Sequence, residues 1–182
     1  MLGDRQLKFL NDWKMDWKDA DMKVLLTQTV FANVATHHGD LTNYLYGDLD
    51  SGGWPKVGRD KVIKIMRSVG AFQISGDQHV PSLVQYGLND YRDANWSFCT
   101  PAIAVMYLRW FLPDELGYPV LDRPEHAYPN TGKYTDAFGN KNYVYAIGNP
   151  GKITLDGNSR YSHAQIRSSG FGMITFDQKF RN

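Results

Sequence analysis

The stretch Phe72-Gln73-Ile74-Ser75-Gly76-Asp77-Gln78-His79 decides the fold. A short apolar run ends in Gly, and an acid and an imidazole follow, two residues apart. In open α/β sheets, ligands collect where strands end at their carboxyl edge. A carboxylate and a neutral imidazole are both good ligands for borderline cations. The segment therefore reads as a buried strand, Ala71 to Ser75, whose exit loop carries half of a metal site in Asp77 and His79. The simpler alternative is a turn Asp capping backbone N–H groups beside a His satisfied by a neighbour.

Outward from this strand the chain reads as an α/β layered fold. Val62, Ile65, Met66 and Val69 make one apolar stripe, which predicts a helix over Arg59 to Val69 with Gly70 as its C-cap. Leu7, Leu10, Trp13 and Trp17, with Phe9, recur at three- and four-residue spacing and predict a helix over Leu7 to Trp17. Met22 to Phe31 is strand-like, with Val24, Leu25 and Leu26 as a short buried run. Residues 32–53 form a polar loop rich in Gly and Asp. Ser82 to Gly87 and Phe98 to Val105, the latter interrupted by Pro101, are further candidate strands. The runs Tyr143 to Ile147 and Phe171 to Phe176 are β-like. Between residues 113 and 140, Pro119, Pro124, Pro129, Gly132 and Gly139 break any periodicity, so a loop-rich insertion is expected there.

Length and composition bound the function. A chain of 182 residues fits one domain, and 42% hydrophobic residues exclude a disordered one. The formal net charge of +1 gives no electrostatic case for nucleic acid or an anionic membrane. Cys99 is the only cysteine, so no internal disulfide can form; it reads as a small buried hydrophobe. The N-terminus has no signal-peptide apolar region. Aromatic residues reach 14%, with eleven Tyr and five Trp, more than a core of this size needs. An aromatic-rich surface or cleft is expected, although those around 91–111 read as core and scaffold. A Gly-rich phosphate loop, a Cys-x-x-Cys pair and a Gly-x-Ser-x-Gly elbow are all absent from the sequence.

Other candidate groups are weaker singly. Asp48-Leu49-Asp50-Ser51-Gly52-Gly53-Trp54-Pro55 places two acids before a Gly-Gly turn, able to present a carboxylate to a cation or to form a solvated turn anchored by Trp54-Pro55. Arg59, at the start of the best helix, is a candidate phosphate contact through its guanidinium, or a partner for Asp60 or Asp50. His37 and His38 are adjacent, and neighbours on a strand point to opposite sides, so one is a candidate ligand or proton donor and the other faces solvent. His126 and His163 receive no role.

Taken together, these segments resemble the alkaline phosphatase D (PhoD-like) metallophosphatases. Leu2-Gly3-Asp4-Arg5-Gln6 before an aromatic-rich helix is similar to that family's "LGxxQ…W" segment. Asp50 through Trp54-Pro55 to Arg59 resembles "WDGYPxxR" with residues inserted. Ile74 to His79 resembles "LSGDxH", and Phe98 to Ile103 resembles "FxTPSI". Gly170 to Met173 resembles the closing strand. The resemblance implies a calcineurin-like α/β sandwich with a mixed sheet and flanking helices. It also implies a binuclear or trinuclear centre of Fe, Ca, Mn or Zn hydrolysing phosphate monoesters or diesters. Asp50 and His79 would be metal ligands, Asp77 a ligand or an orienting partner of His79, and Arg59 a phosphate contact. His37 or His38 would face the cleft. The family is often exported.

The family's "GDQxY" and "DDH" segments, which supply bridging ligands, are missing here. Residues 1–182 are thus expected to be the C-terminal half of a longer catalytic domain, inactive alone. Its expected partners are a phosphate-ester substrate and the missing N-terminal half, and uncovered apolar surface would favour self-association. The alternative is a non-catalytic module built from half of this fold, binding a phosphorylated or carbohydrate ligand through its aromatic surface.

Overall fold

The computed structural model describes residues 3–39, 43–49, 52–103, 107–151 and 169–177. Two helices and nine strands are described: α1 (Asp4–Met15), β1 (Val24–Thr29), β2 (His37–His38), β3 (Asn43–Tyr44), α2 (Lys56–Arg67), β4 (Phe72–Gly76), β5 (Ser82–Tyr86), β6 (Trp96–Cys99), β7 (Arg109–Trp110), β8 (Gly132–Thr135) and β9 (Lys141–Ile147). Six strands form one mixed sheet in the order β1-β4-β6-β5-β9-β8, and β3-β2-β7 form a small second sheet. Strands β1, β4 and β6 run parallel, whereas β5, β9 and β8 add antiparallel neighbours. The chain is therefore an α/β protein, as the alternation of periodic segments predicts. Among the described residues no helix is long and apolar enough to cross a membrane.

Helix α2 starts three residues earlier than its stripe suggests and ends as Gly70 requires. Gly70 takes φ +61°, the Ala71 N–H reaches back to the Met66 carbonyl at 3.0 Å, and the Gly70 N–H reaches Arg67 at 3.3 Å. These two bonds satisfy orphan carbonyls of the last turn, and the left-handed position costs Gly least. Ile63 faces the main sheet and packs with Val84, Tyr86, Cys99 and Val144, while Val62, Ile65 and Met66 pack against Leu10 of α1 and Leu25 of β1. Helix α1 ends at a feature the spacing does not reveal. The buried Lys23 ammonium donates to the Trp13 and Asp16 carbonyls at 2.6 and 2.7 Å and stacks over Trp13 and Trp17. A cation at a helix C-terminus meets the negative end of the dipole.

The main sheet is covered unevenly. Burial alternates along β4, β5 and β6, with Gln73, Ser75, Ser82, Val84, Tyr86, Ser97 and Cys99 turned towards the helices. The opposite face carries Ile74, Leu83, Trp96 and Phe98, all only half-buried, and Leu26 of β1 is 73% exposed. Part of that face lies under residues 169–177. Phe176 meets Phe72 edge-on at 5.8 Å, and a Cβ at Gly172 would overlap the Phe98 ring. Among the described residues no strand pairs with the outer edge of β1. An apolar half-covered face beside an open strand edge favours association. Concentration-dependent self-association is expected in light scattering, reduced by Leu26→Glu; a monodisperse monomer at high protein concentration would contradict it.

Several sequence expectations are corrected. The run 171–176 forms no strand, because it lies across the sheet face instead of along an edge; only Ser169 bridges to Ala102, and Phe171 and Met173 stay exposed. The polar loop 32–53 contains β2 and β3, held by backbone pairing to each other and to β7. The segment 113–140 is mostly irregular, as expected, but it includes β8, which completes the sheet edge against β9. The strand expected over Phe98 to Val105 is confined to β6, and residues 104–106 lie outside the described ones.

Candidate functional site

Strand β4 delivers its exit loop to the carboxyl edge of the parallel part of the sheet. There Asp77 and His79 both adopt left-handed backbone, with φ +62° and +58°. Asp and His tolerate this region better than most residues, yet each costs about 1 kcal/mol and such strain gathers at functional sites. Between them Gln78 is fully buried and its backbone N–H donates to the Gly76 carbonyl at 2.7 Å. This alternation turns Gln78 inward and presents its two neighbours outward.

Exposed Asp77 and half-buried His79 differ in their support. Gln28 of β1 donates to one Asp77 carboxylate oxygen at 3.1 Å. Gln28 alternates with the helix-facing Thr27 and Thr29, so Asp77 sits on the half-covered side of the sheet. His79 Nδ1 lies 2.6 Å from the Tyr107 carbonyl oxygen, so this nitrogen is the donor and the neutral ring keeps its lone pair on Nε2. An imidazole held through one nitrogen by a backbone carbonyl is the usual arrangement of a histidine ligand, and it is also the neighbour-satisfied histidine of the simpler reading.

Tyr107 brings a second histidine to the same place. Its hydroxyl hydrogen-bonds His38 Nδ1, and its ring stands 5.7 Å from His38 and 6.4 Å from His79. His37, one residue away on β2, points to the other side, as alternation requires. There Thr36 Oγ1 shares a hydrogen bond with its Nδ1 at 3.0 Å, and Tyr44 packs edge-on at 5.8 Å. Burial lowers the His37 pKa and Glu115 partly offsets this, which favours the neutral ring. Thus Tyr107 joins His38 and His79, while His37 has Thr36 and Tyr44 as its neighbours. Tyr107 is the residue sequence reasoning missed; a lone Tyr in an aromatic-rich segment carries no spacing signal.

Of the two roles expected of Arg59, the pairing with Asp60 is the one observed, and it is part of a larger set of contacts. It is buried, and Nε donates to the Phe31 carbonyl at 2.7 Å. Nη1 donates to Asp60 and to the Gly87 carbonyl, both at 3.0 Å, and Nη2 donates to Asn142 Oδ1 at 3.0 Å and the Lys141 carbonyl at 3.4 Å. A guanidinium has five N–H donors, and all five are engaged within the protein, which leaves none for a phosphate. Its plane also lies over Tyr86 at 5.3 Å.

The remaining candidates separate cleanly. Asp50 lies outside the described residues. Asp48 forms a buried ion pair with Arg109 of β7 at 2.9 Å, so it is neither a solvated turn residue nor presented to a cation. Trp54, expected as an anchor, is 55% exposed. Cys99 is buried, and burial pushes its thiol up to about 11. Thiol reagents at neutral pH should therefore label the native protein only at its unfolding rate; rapid labelling would contradict this placement. Among the described residues no group of three or more His, Cys, Asp or Glu side chains could hold a metal ion. Asp77 and His79 thus have suitable donor chemistry for one face of a cation, with no third protein ligand beside them among the described residues.

Compared with known proteins, the chain matches no family model, no curated protein and no solved structure.

Proposed function

We propose that this chain supplies one side of a metal-dependent site hydrolysing phosphate esters, in the PhoD-like manner its motifs resemble, within a calcineurin-like layered fold completed by a further segment or chain. The observation that carries this reading is the pairing of Asp77 with a carbonyl-held His79 in strained backbone at the carboxyl end of β4. The location supports it too. Asp77 opens towards the half-covered sheet face, so whatever packs on that face brings its own side chains beside Asp77 and His79. One added structural half would then bury the exposed apolar residues and supply the missing ligands.

Fe, Ca, Mn or Zn would be held by Asp77 and His79. When bound, such ions lower the pKa of coordinated water and neutralise charge on phosphoryl oxygens. The residues of this chain do the rest by position. The Tyr107 carbonyl fixes the His79 tautomer, Gln28 orients Asp77, and the Tyr107 hydroxyl orients His38, which would serve as the proton donor to a leaving group. Arg59 stands behind this as a strut of the fold.

Hydrolysis of p-nitrophenyl phosphate and bis(p-nitrophenyl) phosphate by the product of the complete reading frame tests the proposal. Activity with at least one of the four metals, falling at least 100-fold in His79→Ala, is expected, with residues 1–182 alone inactive. A complete product inert with all four metals would overturn it.

A further inference from the structure

A second concavity lies away from the β4 exit loop. It encloses about 350 Å³ and is lined by Tyr44, Tyr46, Tyr91, Tyr118 and Tyr134, with Lys133 at its wall. That volume falls in the lower range of small-molecule sites, about 300–1,000 Å³. Tyr44 belongs to β3 of the small sheet and Tyr134 to β8 at the edge of the main sheet, so the cleft is built where the two meet. Five of the eleven tyrosines gather here. We propose that this cleft binds a neutral sugar ring, with tyrosine faces stacking on its C–H surface and phenol hydroxyls bonding its hydroxyl groups.

The aromatic exposure supplies the first argument. Tyr46 is 70% exposed, and Tyr44 and Tyr118 remain about 40% exposed despite bordering a concavity. Tyr134 packs edge-on against Phe111 at 4.9 Å, which makes the floor rigid. Aromatic faces carry the negative side of a quadrupole and so attract the weakly positive C–H groups of a pyranose.

Charge decides between sugar classes. Lys133 is already paired with Asp122 at 3.1 Å. Asp136, also in the lining, accepts from the backbone N–H groups of Asn33, Phe138 and Asn140 and is buried. The one ammonium in the lining thus already has a carboxylate partner and the one carboxylate is buried, so the cleft has no cluster of cations built for a phosphate or carboxylate. Burial first, then the Tyr118 hydrogen bond, hold the Tyr44 phenol up at about 12, so it stays neutral at any physiological pH. Tyr44 and Tyr118 hydroxyls lie 2.6 Å apart, and the Tyr91 hydroxyl meets Thr135 Oγ1 at 2.8 Å. Each hydroxyl both donates and accepts, as a polyol requires.

This inference stands apart from the metal proposal, and its test is run with EDTA present so that the two fail separately. Calorimetry on the full chain would use cellohexaose, maltohexaose and chitohexaose as neutral probes, with glucose 6-phosphate and inorganic phosphate as charged comparators. Pull-down on insoluble cellulose, starch and chitin separates a polymer from a free oligosaccharide as the source. Binding of at least one neutral probe is expected, weakened at least 10-fold in Tyr46→Ala and in Tyr118→Ala and largely retained in Tyr46→Phe. Tyr46 is too exposed for its removal to threaten folding, so it keeps the test valid if Tyr118→Ala is unstable. No binding of any neutral probe at millimolar concentration, tighter binding of a phosphorylated one, or binding unchanged in Tyr46→Ala would overturn the assignment.

Discussion

Arg59→Ala is expected to destabilise the protein by about 3–5 kcal/mol, close to the whole stability of a marginal domain. The reason is the set of acceptors left behind. The carbonyls of Phe31 and Gly87 and the amide oxygen of Asn142 would lose a charged donor inside the protein. A buried acceptor without a partner costs about 1–3 kcal/mol, and three elements meet at this side chain. The guanidinium ties the end of β1 to the loop after β5 and to the start of β9. Arg59→Lys keeps the charge but cannot reach these acceptors with a planar fork, so a loss of about 2 kcal/mol is expected. Urea unfolding of both variants checks this. A change within about 1 kcal/mol for Arg59→Ala would mean that the guanidinium is dispensable to the fold and available to a ligand after all.

Asp136→Ala should be comparably severe, also about 3–5 kcal/mol. One carboxylate oxygen accepts from the Phe138 and Asn140 backbone N–H groups at 3.0 and 2.9 Å. The other accepts from the Asn33 backbone and the Asn140 side chain at 3.1 and 3.0 Å. Removing it strands four donors at once, three of them buried. Asp136→Asn retains one acceptor oxygen but turns an NH₂ group against donors, so roughly 2–3 kcal/mol is expected. The two sites are coupled through Asn142, which accepts from Arg59 and donates towards Asp136 at 3.5 Å. The Arg59→Ala, Asp136→Ala double variant should therefore lose less than the sum, by about 0.5–3 kcal/mol. Strict additivity in denaturant titrations would contradict a shared network.

What the sequence reveals follows from the length of each periodic signal. Helix α2, strands β1, β4 and β5, and the core of β9 come from apolar runs or stripes several residues long, and Gly70 marks its cap unaided. Two-residue strands such as β2 and β3 are too short to show any period, so His37 and His38 read as loop residues although backbone pairing sets their orientation. The split of these two histidines to opposite sides is nevertheless legible, because alternation is a local rule. The turn that carries Asp77 and His79 is legible from its place after a buried run. Their carbonyl anchor, Tyr107, is not, since the contact spans 28 residues. For Arg59 the sequence leaves two roles open, and pairing with Asp60 is the one observed; a buried guanidinium and a ligand-binding one are the same letter at the same helical position. Only the acceptors gathered from three other segments tell them apart. The run at 171–176 has strand composition, but Gly172 lets it lie flat on Phe98, where a Cβ would overlap the ring.

The central claim is that Asp77 and His79 form one face of a cation site. The most direct test is paramagnetic broadening of amide signals in the isotope-labelled 182-residue chain titrated with Mn²⁺. The account predicts broadening centred on residues 76–79 and 107, lost in His79→Ala and unaffected by His37→Ala. Broadening that spares these residues, or that persists unchanged in His79→Ala, would contradict it.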